Sequence, residues 1–175
     1  MLEKVLLVVV ILVAGIFAVA LTKPDTFSVQ RSVNIKAPPE KIFAVLNNFK
    51  RWPDGSPWEK LDPAMQRTHS GAASSKGAAY AWKGNREVGA GRMAIRESTP
   101  PNRVSMQLDF IEPFEGHNTA DFLLAAKGDS TDVTWRMTGP PPLVSKLMQV
   151  FVSMDTLIGK DFEAGLANLK ALTEK

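Results

Sequence analysis

A chain of 175 residues has room for one domain and an accessory segment. Its net charge is only +3, with the basic residues scattered, which argues against a nucleic-acid partner. It has no cysteine, so disulfides, thiol catalysis and zinc–thiolate sites are excluded, and its two histidines, His69 and His117, are too few for most metal centres.

Residues 5–21 are an unbroken apolar run, flanked by Lys4 on one side and by Lys23 and Pro24 on the other. At roughly 17 residues the run is at the short end of what spans a bilayer. Val, Leu and Ile occupy every face of it, which a helix packed against a soluble core does not require. Ala18-Val19-Ala20 has the small-x-small form of a signal-peptide cleavage site, but the segment before the run carries a single lysine offset by Glu3. The expectation is a single-pass transmembrane anchor over residues 1–22, with a cleaved signal peptide as the alternative. The charge bias leans toward a short cytoplasmic N-terminus and a domain on the non-cytoplasmic side. Residues 23–26 then form a linker and residues 27–175 the soluble domain.

In residues 27–36, Phe27, Val29, Val33 and Ile35 alternate with Ser28, Gln30, Ser32 and Asn34, the pattern of a half-buried strand. Arg31 interrupts the apolar row, as at a strand end or a cavity rim. Pro38 and Pro39 preset a helical first turn with Glu40 against its dipole. Ile42, Phe43, Val45, Leu46 and Phe49 follow at helical spacing until Trp52-Pro53-Asp54-Gly55 ends them.

Residues 66–138 read as strands separated by turns. Residues 78–83 put Tyr80 and Trp82 on one face, and residues 88–97 follow the turn at Gly84-Asn85. In residues 103–112, Val104, Met106, Leu108 and Phe110 share a face. Residues 119–127 turn Ala120, Phe122 and Leu124 inward, and residues 132–138 do so with Val133, Trp135 and Met137. Strands so closely spaced make an antiparallel meander.

After Gly139-Pro140-Pro141-Pro142 the period becomes helical. Leu147, Val150, Phe151, Met154, Ile158, Phe162, Gly165, Leu169 and Leu172 lie on one stripe, predicting a single helix of roughly 30 residues to cover the apolar face of the sheet. Gly165 on that stripe points to close approach of helix and sheet.

Strand, short helices, six-stranded meander and long terminal helix, in that order, is the layout of a helix-grip domain. Val33-Asn34-Ile35-Lys36-Ala37-Pro38-Pro39-Glu40-Lys41-Ile42-Phe43 resembles the strand, Ala-Pro, helix opening of the START-like (SRPBCC) superfamily. Trp52-Pro53 with Ser56-Pro57-Trp58 is similar to the second-helix segment of its polyketide cyclase/dehydrase and lipid-transport branch. So are Glu87-Val88-Gly89-Ala90-Gly91-Arg92-Met93, Pro113-Phe114-Glu115-Gly116, Val133-Thr134-Trp135 and the segment from Ile158 to Leu166. The resemblance implies an α+β helix-grip fold, a curved antiparallel sheet wrapped around a long C-terminal helix, here with one N-terminal transmembrane helix. It also implies a cavity between sheet and helix, but no single activity, since members bind lipids, hormones and polyketides and only some catalyse.

Gly89-Ala90-Gly91-Arg92-Met93-Ala94 matches the dinucleotide pattern G-x-G-x-x-A, which needs a helix where this segment reads as strand. The glycines read instead as a bend in the sheet. No nucleotide, metal or other cofactor is expected. His117, near Glu112 and Glu115, is a candidate acid–base residue, against the simpler reading of an exposed turn histidine. His69 reads as surface. Glu97, Glu115 and His117 are the candidate catalytic residues of an enzyme reading, a cyclase or hydrolase.

The larger set is apolar: Trp58, Tyr80, Trp82, Phe110, Phe122, Trp135, Met137, Phe151 and Met154, with Met148 beside them. Aromatic and methionine surfaces suit an apolar ligand, and equally make a solid core. The expected function is a membrane-tethered domain that binds or transfers a hydrophobic small molecule or lipid. The alternatives are the enzyme and a protein-interaction module with a vestigial cavity.

Overall fold

The computed structural model describes residues 1–175. Helix α1, Leu2–Leu21, is followed by β1 (Phe27–Ile35), α2 (Pro39–Leu46) and two 3₁₀ turns, Phe49–Asp54 and Pro57–Lys60. Then come β2 (Gln66–Gly71), β3 (Ala78–Lys83), β4 (Ala90–Thr99), β5 (Arg103–Glu112), β6 (Gly116–Lys127) and β7 (Ser130–Gly139). Helices α3 (Leu143–Met148) and α4 (Met154–Thr173) close the chain.

The strands form one antiparallel sheet of order β1-β7-β6-β5-β4-β3-β2. β2 to β7 are a meander, while β1 pairs with the last strand, so α2 and the 3₁₀ turns carry the chain from one sheet edge to the other. Two register shifts in β4, at Ala90/Gly91 and Ile95/Glu97, lie where bulges add twist and bend the sheet. Gly89 sits at φ +61°, a backbone setting open to glycine, and β4 therefore starts at Ala90 rather than at Val88. The G-x-G-x-x-A segment thus opens a strand and not a helix. β6 and β7 each begin earlier than alternation predicts, β6 at Gly116 and β7 at Ser130.

The inward face of the sheet is covered by α4 along β1 and β7 and by α2 over β5 and β6. Phe162, Ile35, Ile95, Met106, Val104 and Val133 are almost fully buried in the interior so enclosed. Arg31 is neither a strand end nor a rim. It sits mid-strand and reaches across to α4, its Nε 2.7 Å from Glu163 and its Nη1 2.6 Å from Asp155. Gly159 makes the space, because a Cβ there would collide with the guanidinium. Gly165 does the same for Trp135, whose ring lies 2.7 Å from where a Cβ would stand. Close helix–sheet approach at Gly165 is thus observed.

The single long terminal helix is corrected to two. The chain leaves α3 after Met148 and restarts at Ser153, whose Oγ accepts a hydrogen bond from the Thr156 N–H (3.1 Å) as an N-cap, with Asp155 in the first turn against the dipole. Capping at Ser153 wins over continued helical periodicity, and it resets the phase of every stripe position before it.

α1 presents apolar side chains on all sides, and only Ala20 is buried. Its 20 residues, at 1.5 Å each, are about 30 Å long, the thickness of a bilayer's hydrocarbon core. A helix of this kind at an N-terminus is either a membrane span or a signal sequence.

Candidate functional site

α4 touches the sheet tightly along β1 and β7, and the space between it and β3, β4 and β5 is left open. The result is an apolar cavity of about 270 Å³, walled by inward side chains of β3 to β7, by the 3₁₀ turns and by Ile158, Asp161 and Phe162 of α4. Six of the nine residues expected to line such a space do so: Trp58, Tyr80, Trp82, Phe110, Trp135 and Met137. Phe122 faces a separate small depression of about 60 Å³ beside Trp135 and Gly165. Phe151 lies in the turn between α3 and α4 and is 73% exposed, with Met148 also exposed. Met154 is half-buried and packs on the core without reaching the cavity. Phe151 was placed by a stripe that assumed one continuous helix, and the break before Ser153 takes it off that stripe; Met154 keeps its helical spacing to Ile158 and Phe162 but lies one turn short of the cavity wall.

The cavity also takes residues that the aromatic pattern did not single out. Met106 and Leu108 sit on an inward row legible from alternation, and Met93 joins them from β4. Met65, Val88 and the carboxylates Glu59, Glu87, Glu112 and Asp161 carried no such signal.

Trp82 owes its position to Gly91, where a Cβ would stand 2.5 Å from the indole. Its Nε1 donates to the Val88 carbonyl at 3.1 Å, and the Trp52 Nε1 donates to the Leu46 carbonyl at 3.2 Å. Trp135 is sandwiched between Phe162, parallel at 4.1 Å, and Phe122 at 5.0 Å, with Trp58 edge-on at 6.0 Å. It is 8% exposed, yet its indole N–H has no acceptor in the protein.

One polar cluster enters the wall. The Tyr80 hydroxyl donates to Glu59 Oε1 (3.1 Å), and the Arg67 Nε donates to Glu59 Oε2 (2.7 Å). Burial, reinforced by the neighbouring Glu59 carboxylate, pushes the Tyr80 phenol well above its ordinary range, so it stays a neutral donor.

The three candidate catalytic residues stand on the opposite face of the sheet. Glu97 joins an outer ion network, 3.4 Å from Arg103, which with Arg136 also holds Asp121. His117 and Glu115 are exposed at the β5–β6 hairpin. His117 Nδ1 lies 2.9 Å from Asp109, whose neighbours Leu108 and Phe110 point the other way, into the cavity. The hydrogen bond to Asp109 raises the His117 pKa above the usual imidazole value. The turn histidine therefore has an acid partner, but neither of the two reaches the enclosed space. His69 is exposed on edge strand β2, its ring 5.1 Å from that of Tyr80. No three His, Asp or Glu side chains converge as metal ligands would.

Residues 26–174 match the family described as polyketide cyclase / dehydrase and lipid transport. The chain belongs to that family. No curated protein matches it. Among solved structures, protein CV1439 from Chromobacterium violaceum is 16% identical with a TM-score of 0.60, over 87% of this chain and 99% of that one. The ginseng (Panax ginseng) major latex-like protein 151 is 13% identical with a TM-score of 0.59, over 87% and 100%. The di-domain ARO/CYC protein BexL of the BE-7585A biosynthetic pathway is 13% identical with a TM-score of 0.60, over 90% of this chain but 53% of its own length. At these identities the likeness is one of fold.

Proposed function

We propose that this domain binds, and hands to or from a membrane, one small hydrophobic molecule held between sheet and α4, while α1 tethers it to the bilayer. The observation that carries the reading is the apolar cavity itself. At about 270 Å³ it equals about nine waters' share of liquid, just under the 300–1,000 Å³ usual for ligand sites. That volume suits a single acyl chain or a compact ring system rather than a two-chain lipid. An open space of this size also weighs against a protein-interaction module with a vestigial cavity. The enzyme reading loses its three candidate residues to the outer face.

Three features support the tether. Residues 22–26 separate α1 from β1, and five extended residues reach about 17 Å at most, so the Phe27 end of the sheet must stay near the membrane. The pairings Phe27↔Gly139 and Thr119↔Thr138 put the β5–β6 hairpin at that same end, and β6 begins at Gly116, so the hairpin overhangs β7. Glu112 and Pro113 of that hairpin line the cavity, so its mouth opens toward the bilayer. The exposed Phe114, and Phe151 beside α3, add apolar surface there, and α3 itself is tied to the linker by Lys146 and Asp25 at 2.6 Å. A ligand dissolved in the membrane then meets the mouth at a raised effective concentration. The domain is assigned to the non-cytoplasmic side on the weak charge asymmetry around α1.

The test is native mass spectrometry of the full chain released from detergent. A co-purifying or added apolar compound bound one-to-one is the expected result, and the absence of any saturable binding overturns the reading. Intact mass of membrane-fraction protein checks the anchor, because a mature chain starting near Leu21 means α1 is a signal peptide. The boundary is checked separately: a chain starting at Thr26 is expected to be soluble with a cooperative melt in circular dichroism.

A further inference from the structure

We infer that the cavity selects its occupant by charge: it takes an uncharged or cationic apolar molecule, and turns away the anionic analogue of the same shape. This deepens the binding reading above and rests on it.

The observation that carries it is the sign of the wall. Four carboxylates line the cavity, Glu59, Glu87, Glu112 and Asp161, and no Lys, Arg or His does. Glu59 is neutralised from behind by Arg67, and Glu112 has Lys83 only at 4.0 Å. Glu87 and Asp161 make no ion pair. A carboxylate or sulfonate entering here leaves water for an apolar space, meets like charge at the mouth, and finds no cation to offset either cost. A free fatty-acid anion is therefore a poor occupant, whereas its neutral ester, alcohol or ketone relatives are good ones.

Matched probes test this on the full chain in nanodiscs, read as tryptophan-sensitised emission or tryptophan quenching with empty nanodiscs subtracted. N-phenyl-1-naphthylamine is neutral, and 8-anilino-1-naphthalenesulfonate adds a sulfonate to the same skeleton. The neutral probe is expected to bind at least about fivefold more tightly. The gap should narrow in the Glu87→Gln/Asp161→Asn double variant, which separates the wall's charge from the sulfonate's general preference for water. Equal or tighter sulfonate binding, or a gap unchanged in the double variant, overturns charge selection. If neither probe binds saturably, the cavity reading itself falls and takes this inference with it.

Discussion

The two ends of the domain interior share one sheet and one inward alternation, yet one end is filled and the other is hollow. At the end away from α1, α2 buries Ile42, Phe43, Val45 and Leu46, and α4 adds Leu166 and Leu169, over Ile35, Val104 and Val133. At the end near α1, the cover is two proline-bearing 3₁₀ turns and the start of α4, and the space beneath stays open. A regular helix lays a continuous apolar stripe on a sheet, whereas Trp52-Pro53 and Pro57-Trp58 prop short turns above it. What distinguishes a core from a cavity here is the cover and not the strands.

Substitutions at the two ends should therefore behave differently. Ile42→Ala, at the filled end, is expected to cost about 2–5 kcal/mol in chemical denaturation while leaving probe affinity unchanged. Loss of binding on that change would mean that the ends are not separable. Ile158→Trp, on the cavity side of α4, should cut probe affinity at least about tenfold. Its cost in stability should stay below the roughly 1–3 kcal/mol of overpacking a filled core, because the indole enters existing space. A large destabilisation with binding retained would show the space to be closed in solution.

Acid sharpens the contrast on the outer face. Asp121, only 4% exposed, stands on the outer face where the two ends meet, between Ala120 of the cavity wall and the buried Phe122. Burial pushes its carboxyl up, but hydrogen bonds from Ser105, Arg103 and Arg136 outweigh that and hold it below the usual carboxylate range. With the folded pKa depressed, its contribution is fully present above about pH 4, the unfolded value, and is lost as pH falls through the lower folded one. Melts between pH 5 and pH 2 should show this fall, and Asp121→Asn should flatten it from a lower starting stability.

Behind the hollow end stands the exposed His117–Asp109 pair, 60% exposed at the imidazole. Its folded pKa is raised, so its contribution is present below about 6.5 and is lost as pH rises through the raised value. The effect on stability should be the smallest of the four. It is best read as an NMR titration of His117 that Asp109→Asn moves back toward the ordinary imidazole value.

The same contrast separates what the sequence made legible from what it did not. Alternation is local, so the inward rows carrying Tyr80, Trp82, Phe110, Trp135 and Met137 were readable strand by strand. Gly165 was readable because a glycine on an apolar helical stripe has few other uses. The failures came where two local signals compete or where contact is distant. Ser153 capping against helical periodicity decided Phe151. The hydroxyl of Tyr80 reaches Glu59 across 21 positions of chain, and no spacing rule announces such a pair. Arg31 looked like a fault in an apolar row because its acidic partners lie at the other end of the sequence.

Those partners have a mechanical meaning. Asp155 and Glu163 stand about 12 Å apart along α4, and one guanidinium bridges them from the middle of β1 while filling the notch at Gly159. A helix keyed in this way resists sliding along its axis and rolling about it, and its remaining easy motion is a rocking about Arg31. Lifting its first turn would drive the opposite end down, where Leu166 and Leu169 already rest on a filled interior. The helix is thus a jammed beam, and whatever door admits a ligand must be hung on the α3 arm and the hairpins at the mouth.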